Sequence, residues 1–156
     1  MQQDAFKALK ILHLAITGGF LLITAIFILL VQLGQWQSID PTLERTLQVV
    51  AVVVSIAALL VGFNLFKRKI MEARNSTAPG ETRMGMYRTA CILWWAMIEG
   101  PGLLAVICFM ITGGYAFIAL AGFHILLLLV FMPRKDNIIV LLNLNSQEVT
   151  RLEGQR

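Results

Sequence analysis

The residue best placed to do chemistry in this chain is Glu99, which lies in the middle of an otherwise apolar run from Thr89 to Thr112. A charged side chain at the centre of a bilayer costs about 2.5–3.5 kcal/mol on insertion scales. An acid at that depth is therefore usually protonated, paired or functional. At the rise of an α-helix, Glu99 should lie about 15 Å from the start of the run.

The three residues after Glu99, Gly100-Pro101-Gly102, predict a kink in the same helix. Pro101 has no N–H to donate to the carbonyl of Met97, and the flanking glycines loosen the turn. Broken backbone of this kind, beside a carboxylate, coordinates ions in transporters. The candidate ion-binding residues for H⁺ or Na⁺ are therefore Glu99 and Met97, together with Ser55 and His124 on the neighbouring predicted helices. The alternative is a kinked helix in which Glu99 stays protonated and bonds a neighbour such as Ser55.

A second polar side chain, His124, lies about ten residues into the apolar run that follows the turn at Gly113-Gly114. In an antiparallel hairpin His124 and Glu99 lie at comparable depth, and the two could share a proton. The alternative for His124 is a neutral core histidine that donates to a backbone carbonyl. A haem held by His13 and His124 is disfavoured, because the predicted depths of these residues differ, and we predict no cofactor.

Other catalytic chemistry has no candidate residues in the sequence. It contains no nucleophile–base pair, phosphate-binding loop, nucleotide motif or metal-ligand cluster. Cys91 and Cys108 fall within one predicted helix, too far apart to form a disulfide, and are typical of small apolar packing residues. We therefore predict that the protein is not an enzyme, with no catalytic residues and no metal.

The elements that position these residues are apolar helices. The chain is 58% hydrophobic and 14% charged, whereas soluble domains carry about 25% charged residues. Four stretches approach the roughly 20 residues that cross a bilayer: Ala8–Leu33, Thr46–Phe66, Thr89–Thr112 and Tyr115–Met132. The apolar run of the first is too long for a signal peptide. We predict an all-α, four-helix transmembrane bundle over residues 1–132 and a cytoplasmic tail over 133–156.

The basic residues predict the orientation of these helices. Of the 13 Lys and Arg, all except Arg45 precede helix 1, lie between helices 2 and 3, or follow helix 4. The positive-inside rule assigns this side, and both termini, to the cytoplasm. The net charge of +4 is explained in this way without a nucleic-acid partner. Within the helix 2–3 connection, Lys67, Arg68 and Lys69 should anchor to anionic headgroups of the bilayer.

Two further patterns concern packing and the tail. Small residues form a stripe on one face of helix 2, which is typical of close helix contact in lipid; they are Ala51, Ser55, Ala58 and Gly62. After Pro133, the β-branched segment Asn137–Asn145 predicts a strand or surface segment. Ser146 can cap a short helix through Leu152.

The segment from Thr46 to Thr112 resembles the helical hairpin of the rotary ATP synthase proteolipid, the c subunit. Its elements are a small-residue helix, a basic loop, and a helix that reads Arg88-Thr-Ala-Cys-Ile-Leu-Trp-Trp-Ala-Met-Ile-Glu99-Gly-Pro. The resemblance implies that Glu99 carries H⁺ or Na⁺. Helix 2 departs from the family in having Ala and Ser in place of repeated Gly, and the loop lacks Arg-Gln-Pro.

Over most of its length the chain also resembles small four-helix bacterial membrane proteins with no assigned activity. That resemblance implies the bacterial inner membrane. Two functions remain open. One is an ion-handling membrane subunit that uses Glu99. The other is a non-catalytic scaffold or accessory protein, as a homo-oligomer or with a protein partner, that docks through its tail and basic loop.

Overall fold

The computed structural model describes residues 2–34 and 40–144, and all of its regular structure there is helical. The five helices are α1 (Gln2–Gln32), α2 (Pro41–Asn75), α3 (Gly80–Thr112), α4 (Tyr115–Val130) and α5 (Lys135–Leu142). The prediction of an all-α protein is confirmed. Each of the long helices extends past or close to the limits of an apolar stretch, because its polar ends continue the same backbone hydrogen bonding.

Local signals fix where the helices begin and end. The Asp40 side chain accepts the backbone N–H of Thr42 at 3.0 Å, and Pro41 occupies the first turn of α2, where a missing N–H costs nothing. α3 ends at Gly113, whose φ of 72° is favoured by glycine and whose N–H bonds the Phe109 carbonyl at 2.7 Å. The cap at Gly113 sets the tight turn that returns the chain into α4.

α3 is the central helix, since it packs against α1, α2 and α4. α2 and α4 run antiparallel to α3. α1 runs parallel to it, as three contacts show: His13 meets Trp95, Phe20 meets Gly102, and Val31 meets Gly113. The two residues of each pair have the same separation along the chain, so α1 and α3 stay in one register over their full contact.

The helices suit a membrane protein. Within the described residues, α1, α2 and α3 are each long and apolar enough to cross a bilayer. α4 has 16 residues, or about 24 Å against a hydrocarbon core of about 30 Å. It reaches a spanning length only together with α5, from which it is bent by 74°. The structure thus supports three spans, or four if the bent pair counts as one.

The outer surface of the bundle agrees with that assignment. Large apolar side chains are exposed along the outside of the long helices, which soluble monomers avoid over such an area. The described helices therefore have the length, composition and surface of an integral membrane protein.

Of the two alternatives for Asn137–Asn145, a strand or a surface segment, the strand is wrong over the described residues, because α5 covers them as far as Leu142. The physical reason is the spacing of its apolar residues. Ile138 and Leu142, four residues apart, are both fully buried, whereas Val140 between them is 73% exposed. A strand would place all three on one face, and a helix separates Val140 from the other two. The helix predicted from Ser146 lies outside the described residues.

α5 is held in place by Arg83, a buried arginine in the first turns of α3. Its Nε donates to the Ala73 carbonyl at 3.1 Å, and its Nη2 donates to the Leu142 carbonyl. Both carbonyls belong to the last turns of their helices, where intrahelical donors are missing and the helix dipole is negative. Arg83 therefore joins the C-terminal ends of α2 and α5 to the start of α3.

We predict that Arg83→Met loosens α5 while the membrane helices stay folded. Hydrogen bonds to charged groups contribute about 1.5–3 kcal/mol each, so amide exchange in α5 should accelerate at least about tenfold. Hydrogen–deuterium exchange with mass spectrometry measures this. Arg88→Met, at an exposed arginine of the same helix, is the matched control and should leave α5 unchanged. Equal protection of α5 in both variants would show that Arg83 does not hold it.

Candidate functional site

The register of α1 and α3 determines the surroundings of Glu99. Residues three or four apart share one face of a helix, and Glu99 lies between Trp95 and Gly102, which both contact α1. Trp95 and Gly102 each follow their contact residue on α1 by the same number of positions. The same number counted back from Glu99 leads to Thr17, which is therefore assigned as the residue opposite Glu99. Glu99 therefore lies on the α1 side of α3, at the level of Thr17.

Neither polar group at this level has a partner. The Glu99 side chain is half-buried, and among the described residues no hydrogen bond or ion pair involves its carboxyl. Thr17 is 4% exposed, and its hydroxyl also lacks a hydrogen-bond partner. An unsatisfied buried polar group costs about 1–3 kcal/mol. Each of these groups therefore gains from a proton, a water molecule, an ion, or the other side chain.

His124 lies close to this level but bonds elsewhere. It is fully buried in α4, beside Gly102, and its Nδ1 donates to the Leu120 carbonyl at 2.9 Å. This geometry is that of the alternative interpretation, a core histidine bonded to a backbone carbonyl. With the proton on Nδ1, Nε2 is an acceptor, and it has no partner. The structure places Glu99 and His124 about one helical turn apart along α3, without a hydrogen bond between them.

Ser55 and Met97, two other predicted ion ligands, belong to a different face. Gly62 of α2 packs so closely on α3 that a Cβ there would lie 2.6 Å from the Met97 Cβ. Met97 thus faces α2, and Glu99, two residues later, is turned by about 200° to the opposite side. The alternative hydrogen bond between Ser55 and Glu99 is not formed, since the Ser55 hydroxyl is buried without a partner.

The predicted packing stripe on α2 does lie on one face. Ala51, Ser55 and Gly62 are buried, and Ala58 is half-buried. This face meets α3 around Met97 and Trp94.

The predicted kink residues lie in an uninterrupted helix. α3 continues through Gly100, Pro101 and Gly102 as far as Thr112, so the extent of the bend stays a prediction. Gly102 has a second role that the sequence did not reveal. A Cβ there would overlap the Phe20 ring and lie 3.0 Å from the His124 Cβ. The absent side chain lets α1 and α4 approach α3 beside the site.

The predicted headgroup anchors lie near the end of α2. Arg68 and Lys69 pair with Glu72 of the same helix, at 3.6 Å and 3.8 Å. Lys67 is exposed, and none of the described ion pairs includes it. Contact of these residues with headgroups stays a prediction. Of the three, Lys67 has no ion pair among the described residues, so its charge is available to a headgroup.

Sequence reasoning missed Thr17 as a site residue. A signal for it was present in the sequence, because the polar residues His13, Thr17 and Thr24 recur at helical spacing. All three are buried. A polar stripe on one face of an apolar helix indicates a protein-facing side.

Comparisons with known proteins add no family and no further site residue to this description. Among the described residues, no group of three or more His, Cys, Asp or Glu could hold a metal ion. The chain matches no protein-family model, and no curated protein or solved structure is significantly similar to it. The likeness of residues 46–112 to the proteolipid hairpin therefore rests on the sequence pattern alone.

We predict opposite effects of alanine at two neighbouring glycines of α3. Gly102→Ala forces a Cβ against Phe20 and His124, so it should destabilise the bundle by about 1–3 kcal/mol. Gly100→Ala meets no atom within 4 Å and removes a poor helix former, so it should be neutral or stabilising by up to about 1 kcal/mol. Thermal unfolding of the purified variants in detergent measures both. Equal unfolding temperatures would contradict the close approach at Gly102.

Proposed function

We propose that this protein is an ion-handling membrane protein in which Glu99 binds H⁺ or Na⁺. The observation that carries the proposal is the register of α1 and α3, which assigns Thr17 as the residue opposite Glu99. Both side chains lie in the middle of apolar helices, without a hydrogen-bond partner among the described residues. A structural carboxyl at this depth would be expected to have a hydrogen-bond donor or acceptor beside it. A carrier needs its carboxyl free to exchange an ion.

The proton fits this site better than Na⁺. The helix contacts put two unpartnered polar groups near the level of Glu99, the hydroxyl of Thr17 and the imidazole acceptor of His124. Both can exchange hydrogen bonds with a carboxylic acid. A sodium ion needs several oxygen ligands at once, and Met97 faces α2, the helix that carries Ser55, on the other side of α3.

The proposal includes an orientation. α1 begins, α2 ends, α3 begins and α4 ends at one end of the bundle. We call this the basic end, since Lys7, Lys10, Lys67–Lys69 and Arg134-Lys135 all lie there. This convergence supports a cytoplasmic basic end with both termini inside. The inner membrane of a bacterium, as part of the proposal, rests on the sequence resemblance.

A scaffold or accessory protein is the second candidate function, and α5 favours it. Arg83 fixes α5 at the basic end, and α5 presents Asp136 and the 73% exposed Val140 on its outer side. A rigid surface that mixes charge with an exposed apolar residue suits a protein partner or a second copy of this chain.

We predict that Glu99→Gln abolishes ion flux without unfolding the protein, because a neutral amide closely copies a protonated carboxyl. Proteoliposomes with an internal pH-sensitive dye and an imposed potassium diffusion potential measure proton flux. Removing the carrier should lower the flux to that of empty liposomes, and Thr17→Val should reduce it about threefold to tenfold. Glu44→Gln is the control for loss of a carboxyl, since Glu44 lies in the first turn of α2, at the other end of the bundle from the basic end. This variant should conduct as the unmodified chain does.

Two outcomes would contradict ion handling. One is an unmodified chain that conducts no better than empty liposomes, and the other is Glu99→Gln with full flux. Either result leaves the carboxyl a structural role and favours the scaffold. Labelling by dicyclohexylcarbodiimide, which modifies protonated carboxyls in apolar surroundings, identifies the ion: protection of Glu99 by Na⁺ would assign sodium.

A further inference from the structure

A cavity of about 380 Å³ opens at the basic end of the bundle, between α2, α3 and the bend that joins α4 to α5. Its volume falls in the range of ligand pockets, about 300–1,000 Å³. Aromatic side chains form much of its wall, namely Phe66, Tyr87, Trp94, Trp95 and Phe131. The cavity lies about one helical turn from Glu99 towards the basic end, and the proposed ion site does not use it.

The walls of this cavity are fixed by their own contacts. Trp94 packs edge-on against Phe131 with ring centroids 5.2 Å apart, and its centroid is 6.2 Å from that of Phe66. Trp95 donates its indole N–H to the Phe131 carbonyl at 3.4 Å. Because Phe131 begins the α4–α5 bend, these contacts hold the bend and the cavity in one arrangement. The space is therefore preformed for an apolar group.

One polar group of the wall needs a partner. Trp94 is 4% exposed, and its indole N–H has no acceptor among the described residues. Indole is a donor only, so an occupant that brings an oxygen acceptor would satisfy it, in a lining whose other polar side chains are Tyr87, Cys91 and Asn137. An ester carbonyl at the head of an acyl chain combines such an acceptor with an apolar group.

Positive charge flanks the same cavity. Lys67 follows the lining residue Phe66, and Arg134 follows the lining residue Pro133. Both basic side chains are exposed, and none of the described ion pairs includes them. Two cations beside an aromatic cavity complement an anionic group attached to an apolar chain.

We propose that this cavity binds one anionic phospholipid. The first part of an acyl chain lies among the aromatic rings, its ester carbonyl accepts from Trp94 Nε1, and its phosphate lies between Lys67 and Arg134. The basic end of the spanning helices is the depth at which a bilayer presents these groups together. The site stands independently of ion handling by Glu99.

The test uses the full chain with Trp36→Phe, so that Trp94 and Trp95 report. The chain is reconstituted in phosphatidylcholine vesicles that contain a small fraction of phosphatidylglycerol with brominated acyl chains, which quench tryptophan fluorescence. We expect at least about threefold more quenching than from the same fraction of brominated phosphatidylcholine. Unbrominated phosphatidylglycerol should reverse it. Equal quenching by the two lipids would mean ordinary bilayer contact and overturn the proposal.

Paired variants test the two polar contacts. Lys67→Gln with Arg134→Gln should raise the lipid fraction for half-maximal quenching about fivefold. Lys7→Gln with Lys10→Gln removes the same charge at the same end and should have no such effect. Phosphatidylglycerol with ether-linked chains, which lacks the carbonyl, should compete less well than the ester for the unmodified site but equally well in Trp94→Phe. The site would be overturned if the two paired variants raised the lipid fraction for half-maximal quenching equally. It would also be overturned if the unmodified chain showed no preference for the ester-linked lipid over the ether-linked one.

Discussion

Inside a membrane the lipid offers no hydrogen bonds, so each polar group of a spanning helix depends on a partner within the protein. Many polar side chains of this bundle satisfy that constraint through backbone carbonyls. Thr24 donates to Phe20 and Thr112 donates to Cys108, both at 2.8 Å, and His13 reaches Leu128 of α4 at 2.9 Å. Among the described residues, the buried side-chain groups left without partners belong to Thr17, Ser55, Trp94 and His124. Two of them coincide with the proposed sites, since Thr17 lies opposite Glu99 and Trp94 lines the cavity at the basic end.

The close packing around α3 produces these places. Gly62 and Gly102 remove side chains where α2, α1 and α4 touch α3. Such contacts fix the register between helices, because a shift of one residue would bring a Cβ into a neighbouring side chain. The register in turn decides which polar groups meet. It directs Glu99 to the α1 side and leaves Ser55 on the α2 side.

The sequence predicted the helices correctly where length and hydropathy decide the structure, as in the apolar runs that became α1, α2 and α3. It did not predict α5, because the helical form of this short segment depends on burying Ile138 and Leu142 against the rest of the bundle. Nor could it assign Arg83 to two helix ends, one of which, at Leu142, lies 59 residues away in the chain. Glu99 was recognised from its depth alone, whereas its neighbour Thr17 depends on the packing of α1, which no local pattern in α3 contains.

The central claim is that Glu99 packs against Thr17 of α1 and not against Ser55 of α2. Oxidative cross-linking of cysteine pairs in membranes tests it directly, in a chain with Cys91→Ala and Cys108→Ala. A disulfide requires Cα atoms within about 7 Å. We expect the pair Thr17→Cys and Glu99→Cys to cross-link, and the pair Ser55→Cys and Glu99→Cys to stay reduced. Cross-linking of the Ser55 pair, with none of the Thr17 pair, would contradict this account.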